Sequence, residues 1–253
     1  MRAPWLTVAA AQPACLALDV AGNAETHARV VLAAQARVVV FPELSLTGYE
    51  LDAAPVQCDH KALIPIIALL AIDGAGARPA YRKTWFGGNE PTQFHAGDGP
   101  TVLDVDGWRL GLGICKDTGA PQHVAGTAAL NVDAYLAGLV HLPQELPEQE
   151  ARAVVIVRAC RAFVVFASFA GPTGDVFAET AGSSANYSAE GLALARTGPR
   201  RCCPGHPRLR SSHCRNVYRS RSAIARGLAE HDHFVPIGDR ATGRDAAALL
   251  TID

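Results

Sequence analysis

The chain has 253 residues, of which 49% are hydrophobic and 19% charged, enough apolar matter for one large core and too much for a disordered chain. Its formal net charge of −1 gives no electrostatic reason to expect nucleic acid or a membrane surface as partner. No apolar run approaches the roughly 18–20 residues needed to cross a bilayer.

Trp5–Ala11 reads as a strand; Gln12 and Pro13 interrupt the apolar N-terminal stretch, which argues against a signal peptide. Ala24–Ala36 has helical apolar spacing at Val30, Val31, Ala33 and Ala34. Arg37–Phe41 is a β-branched run of the kind buried on both faces of a sheet. Ala62–Ile72 is apolar throughout and is expected to form a short buried helix with Pro65 in its first turn. Thr101–Val105 and Trp108–Ile114 form a hairpin around Asp106-Gly107. Ala134–Leu142 is another buried strand. Pro147–Cys160 is a helix with Glu148 and Glu150 near its start, where the helix dipole favours acids. Phe163–Phe169 is a strand, and Ser183–Tyr187 and Leu192–Arg196 make a second hairpin. This alternation implies an α/β domain with helices packed outside sheets.

The character changes near residue 199. Residues 200–226 carry eight arginines and no acid, a composition of the kind a shifted reading frame in GC-rich DNA produces. Residues 1–199 are therefore read as the structured domain and 200–253 as a loosely ordered tail, with Ser222–Ala229 as its one short helical stretch. Cys202, Cys203, His206, His213 and Cys214 lack the spacing of a structural zinc site, so no metal is expected there. Tyr218 is the only aromatic among the arginines, which argues against a nucleic-acid surface. The seven cysteines are odd in number and irregularly spaced, which excludes a disulfide framework and points to a reducing cytoplasm.

Three residues stand in marked contexts. Cys115 closes an apolar run in GWRLGLGICKD (107–117), Glu43 follows another in VVVFPELSLTGYE, and Lys83 lies in AYRKTW. Lysine is scarce, with Lys61, Lys83 and Lys116 against twenty arginines. Taken alone, Cys115 is more often a core residue than a nucleophile. A thiol of ordinary pKa is only about 3% ionised at pH 7, so a nucleophilic cysteine needs a base or a cation beside it. Glu43 is either an exposed strand terminus or a buried carboxylate in need of a partner. Together, an acid, an amine and a thiol at strand ends make a catalytic set: base, oxyanion donor and nucleophile.

The three strings, in this order, resemble the carbon–nitrogen hydrolase (nitrilase) superfamily, with its FPE-L-x-x-x-GY, YRK and G-x-x-I-C-x-D contexts. The resemblance extends through residues 151–175 and 181–198, and so covers about 5–198. It implies a four-layer αββα sandwich, usually assembled into dimers or larger homo-oligomers, with no metal or organic cofactor. It implies Glu43 as general base, Lys83 as stabiliser of the tetrahedral intermediate, Cys115 as acylated nucleophile and Glu90 as a supporting glutamate. The expected reaction is hydrolysis of a small amide, nitrile or N-carbamoyl compound, amide before nitrile, through a thioester. Lys116 replaces the aromatic residue common after the cysteine; it either favours thiolate, contacts an acidic substrate or points outward. Asp117 is expected to brace the elbow by bonding local backbone. His123 either lines the pocket or caps a helix.

Two departures accompany the match. The span between Glu43 and Lys83 is short, so a strand or two of the usual hairpin before YRK is expected to be missing, leaving an open sheet edge. The residues after Pro199 do not look like the family's C-terminal segment. The alternative to an enzyme is therefore a defective homologue that acts, if at all, as a binding protein.

Overall fold

A computed structural model describes residues 5–54, 66–174, 176–199, 216–221 and 247–252. Each sheet is explained by its apolar pattern. The first contains β1 (Trp5–Ala10), β2 (Val38–Val40), β3 (Ala68–Asp73), β4 (Gly76–Arg82), β11 (Asn216–Arg221) and β12 (Ala247–Ile252), in the order β11-β1-β2-β12-β3-β4. The second contains β5 (Val102–Val105), β6 (Trp108–Ile114), β7 (Ala134–Leu139), β8 (Phe163–Ser168), β9 (Ala185–Tyr187) and β10 (Ala193–Arg196), in the order β10-β9-β8-β7-β6-β5. Four helices are described: α1 (Val20–Ala34), α2 (Glu90–Gln93), α3 (Pro121–Ala129) and α4 (Leu146–Cys160).

Alternate side chains of each strand face opposite layers. Leu6, Val8, Ala10, Val38, Val40, Leu69 and Ala71 meet Leu110, Leu112, Ile114, Leu136, Val165 and Ala167 between the sheets. The other faces turn outward. Ala9, Ala11, Val39 and Phe41 pack under Val30, Val31 and Ala34 of α1. Tyr135, Ala137, Leu139, Val164 and Phe166 pack under Val124 of α3 and Ala153, Ile156 and Val157 of α4. The result is the expected four-layer αββα sandwich. β2, buried on both faces as its valine run implies, contributes about 1.5–3 kcal/mol for each fully buried valine.

Local chemistry sets the element ends. The Asp19 side chain accepts from Gly22 N at 3.0 Å, so α1 begins at Val20, four residues before the expected start. Asp106 and Gly107, with φ of 52° and 82°, make the tight turn joining β5 to β6, as the Asp-Gly pair implies. Two polar links tie the sheets together. Arg37 Nε lies 3.0 Å from Asp106 Oδ2, and Gln12 Oε1 accepts from Ser184 N, Ser184 Oγ and Thr197 Oγ1 at 2.7–2.9 Å.

Three expectations are corrected. Ala68–Ile72 belongs to a strand rather than the end of a buried helix, and residues 62–65 lie outside the described set. A short continuous apolar run has the same pattern in either state, and here β3 is buried because it pairs with β12 and β4. The hairpin expected to be missing is therefore present as β3 and β4. Asp73 accepts from Ala75 N at 2.9 Å in its turn, and Pro79 sits on the edge strand β4, the place in a sheet where proline is tolerated. Within 200–253, expected to be loosely ordered, β11 and β12 are strands of the first sheet, β12 between β2 and β3. Their pairing with β1, β2 and β3 is long-range, which local composition does not reveal. The Cys/His cluster at 202–214 and Ser222–Ala229 lie outside the described residues.

β2 and β4 run in the same direction, so their carboxyl ends share one edge of the first sheet. The chain leaving β2 there crosses β7 of the second sheet at Gly138, where a Cβ would stand 2.6 Å from Phe41 O and 2.9 Å from Glu43 N. Gly138→Ala is therefore expected to force the segment carrying Glu43 outward. It should cost about 1–3 kcal/mol, seen in calorimetry as a Tm lower by about 2–4 °C for each kcal/mol.

Candidate active site

Glu43, Lys83 and Cys115 each follow a strand: Glu43 lies three residues past β2, Lys83 immediately follows β4 and Cys115 immediately follows β6. The fold brings the first two together with Glu90. Lys83 Nζ donates to Glu43 Oε1 at 2.7 Å and to Glu90 Oε1 and Oε2 at 2.7 and 2.9 Å. Glu43 is 0% exposed, Lys83 1% and Glu90 6%, so the three charges are almost wholly out of water. Glu90 opens α2, and its Oε2 also accepts from Gly87 N at 2.8 Å.

Cys115 lies on a strained turn. Its φ is +37°, left-handed for a residue with a Cβ, and the chain passes directly from β6 into the 3-10 turn Cys115–Gly119. Its thiol donates to Val140 O at 3.3 Å, and its carbonyl accepts from Thr118 Oγ1 at 2.6 Å. Arg152 Nη1 of α4 reaches Thr118 Oγ1 at 3.4 Å and His141 Nε2 at 3.2 Å, and its Nη2 pairs with Glu148.

Charge and burial act against each other here. Burial raises the Glu43 carboxyl above its ordinary value of 4.5; Lys83 opposes this, and Glu90 adds to it. Burial alone would lower the Lys83 ammonium, but Glu43, Cys115 and Glu90 outweigh it and raise it. Burial, then the charge of Glu43, pushes the Cys115 thiol up, with Lys83 pulling the other way. The resting arrangement is thus a neutral thiol, a fixed cation and a carboxylate of enhanced basicity. Glu43 Oε2 has no hydrogen-bond partner, and the Cys115 side chain is among the groups acting on that carboxyl. An unpartnered buried oxygen beside a thiol is suited to take a proton from it.

Asp117 is fully buried and bonds backbone on two segments. Its Oδ2 accepts from Ile114 N at 2.9 Å, just before Cys115. Its Oδ1 accepts from Trp85 N at 2.8 Å and Thr84 N at 3.3 Å, just after Lys83. It therefore pins the two chain segments to one another. Lys116 is exposed; its Cδ lies 3.9 Å from where a Cβ on Gly87 would stand, and its charge acts on Glu148. His123 is fully buried in α3, where its ring nitrogens meet two tyrosines, so its side chain takes neither of the expected places, lining a pocket or capping the helix.

Sequence reasoning passed over Tyr81, Thr118 and Val140. Tyr81 was detectable: it and Lys83 are two residues apart at a strand end, and so share a face. The role of the Val140 carbonyl carries no side-chain signal. Among the described residues, no group of three or more His, Cys, Asp or Glu side chains is placed to hold a metal ion. No helix among them is long and apolar enough to cross a membrane.

No protein-family model matches the chain. A curated relative, named as a hydrolase in the pqqF 5′ region of Pseudomonas protegens, is 29% identical over 153 residues. The match covers 47% of this chain and 54% of the relative, so it spans about half of that protein's length. A structure of the amidase from Nesterenkonia sp. AN1, described with the acetamide moiety of fluoroacetamide added covalently at its active-site cysteine, superposes with a TM-score of 0.59. It is 22% identical and covers 77% of this chain and 87% of its own. A CN-hydrolase superfamily protein from Xanthomonas campestris, with an arsenic adduct in its active site, superposes with a TM-score of 0.65. It is 15% identical and covers 87% of this chain and 91% of its own. The chain therefore has the fold of the nitrilase, or CN-hydrolase, superfamily.

Proposed function

We propose that the protein is a carbon–nitrogen hydrolase, an amidase before a nitrilase, that works through a Glu43–Lys83–Cys115 triad with Glu90 in support. The observation that carries this reading is the buried ammonium of Lys83, 2.7 Å from a carboxylate oxygen of both Glu43 and Glu90, beside a thiol on a strained turn. Such a cluster is costly to bury, and buried charges with shifted pKa values concentrate at functional sites. The curated hydrolase and the Nesterenkonia amidase support the same reading.

The chemistry follows from the charges. As Cys115 Sγ attacks the carbonyl carbon of a small amide, its proton passes to Glu43. The new oxyanion is met by the Lys83 ammonium, whose raised pKa keeps it protonated, and by the backbone N–H of Lys116. The C–N bond then breaks as Glu43 returns the proton to the departing nitrogen, leaving a thioester on Cys115. Water, deprotonated by Glu43, attacks the thioester and releases the carboxylic acid and the thiol. No metal or organic cofactor enters any step. The hairpin formed by β3 and β4 before Lys83 answers one of the two observations behind the defective-homologue alternative, the short span between Glu43 and Lys83; the other, the composition after Pro199, is untouched by it. Assembly into a homodimer or larger homo-oligomer and a cytoplasmic location belong to the same proposal. The free thiols of Cys15, Cys115 and Cys160 accord with a reducing compartment.

Cys115→Ala is expected to abolish ammonia release from a panel of small aliphatic amides while leaving the circular dichroism spectrum unchanged. Residual turnover near wild type contradicts the proposal. Glu43 must be unprotonated to act, and its pKa is raised, so kcat/KM should rise with pH through a value above 4.5. The negative charge of Glu90 helps to raise that value, so Glu90→Gln should shift the acid limb to lower pH. The same variant should lower kcat by about 10–100-fold through a loosened Lys83. An unmoved limb in the pH–rate profile contradicts the assignment of Glu43 as base.

A further inference from the structure

The clamp at Asp117 continues away from the site as a buried chain of side-chain hydrogen bonds. Tyr81 Oη lies 2.8 Å from Asp117 Oδ2, 3.0 Å from His123 Nε2 and 3.1 Å from Thr84 Oγ1. The other imidazole nitrogen, Nδ1, lies 3.2 Å from Tyr135 Oη of β7. Tyr81, Asp117, His123 and Tyr135 are all buried. The imidazole sits edge-on against the rings of Tyr81, Trp85 and Tyr135, with centroids 5.7, 5.7 and 6.0 Å away.

Counting protons leaves one arrangement. Tyr81 has a single proton, and the Asp117 carboxylate, its nearest partner and an acceptor only, takes it in a charge-assisted bond. Tyr81 Oη then accepts at its other contacts, so His123 donates from Nε2. Nδ1 carries no proton and accepts from Tyr135. Burial, acting against the charge of Asp117, holds the His123 imidazole below its ordinary value of 6.5 and so keeps it neutral. Every donor in the chain points toward Asp117.

We infer that the Tyr135–His123–Tyr81 chain is a positioning device that sets the orientation of Asp117 and, through it, the spacing between Lys83 and Cys115. Asp117 accepts from Trp85 N on the lysine segment and from Ile114 N on the cysteine segment. A carboxyl group rotates about its last bond, and the bond from Tyr81 to Oδ2 selects the one orientation that serves both segments. None of the three residues is placed to touch reacting atoms, so each acts through Asp117. The inference rests on the proposed reading of Cys115 as nucleophile.

The test compares the full-length protein with Tyr81→Phe, Tyr135→Phe, His123→Phe and His123→Gln. Two readouts are used: kcat and KM on a small aliphatic amide, and the rate of Cys115 alkylation by iodoacetamide, followed by peptide mass spectrometry. Tyr81→Phe and His123→Phe should lower kcat by about 10–100-fold with KM within about threefold, and slow alkylation of Cys115 by a similar factor. Tyr135→Phe, one link further out, should have a smaller effect in the same direction. His123→Gln, which restores an N–H toward Tyr81, should recover most of the loss. If Tyr81→Phe, which removes a single oxygen, keeps wild-type kcat and alkylation rate while only its Tm falls, the chain is structural and the inference fails. Tyr81→Phe decides the matter where His123→Phe does not fold. Wild-type Cys115 alkylated no faster than Cys15 and Cys160 is a distinct result: it overturns the reading of Cys115 as nucleophile, and the inference with it.

Discussion

The arrangement of the site depends on one buried ammonium. Lys83 sits with 1% of its surface exposed between two carboxylates, bonded to both. Removing that cation would leave Glu43 and Glu90 as like charges out of water, a change worth about 3–5 kcal/mol in comparable buried pairs. Removing either carboxylate would leave the ammonium half-compensated. The cluster is thus stable only as a set, and the chain beyond β2, the end of β4 and the start of α2 must deliver its members together. This brings FPEL, YRKT and NEPT together, and Asp117, bonded to backbone on the lysine and cysteine segments, ties GICKD to them.

Delivery depends on close backbone approach as much as on charge. Gly138 lets β7 pass against the chain that carries Glu43, and Val140, two residues on, accepts from the Cys115 thiol. The Cys115 turn is held in a left-handed conformation by bonds to its own carbonyl and by Asp117 just beyond it. Strain of this kind persists only where the surroundings over-determine it. Asp117 supplies much of that constraint, because it pins the cysteine segment and the lysine segment to one another. Electrostatics then sets the proton inventory: burial and neighbouring carboxylates favour a neutral thiol, a protonated lysine and a more basic Glu43.

The sandwich was legible where a pattern was local. The valine run of β2, the Asp-Gly turn between β5 and β6 and the helix after Pro147 all follow from short-range chemistry. Glu43, Lys83 and Cys115 were legible because each stands at a strand end in a marked string, whereas Glu90, which opens α2, and Asp117 were legible through the family resemblance. Ala68–Ile72 was misread as helix because a fully buried strand and a buried helix share one apolar pattern. β11 and β12 were not legible, since strands that pair across more than a hundred residues carry no nearby partner in the sequence. Tyr81 escaped notice, and His123 was read only as lining the pocket or capping a helix, for a related reason: their significance lies in what they touch, and the contacts join β4, α3 and β7 only after folding.

The proposed function turns on one step, the acylation of Cys115 by a small amide with Glu43 and Lys83 in attendance. Acid quenching of the protein during turnover, followed by peptide mass spectrometry, tests it directly. An acyl group of the substrate's mass is expected on the peptide carrying Cys115 and is expected to be absent in Cys115→Ala. No adduct during measurable turnover, or an adduct on Cys15 or Cys160 instead, would contradict it.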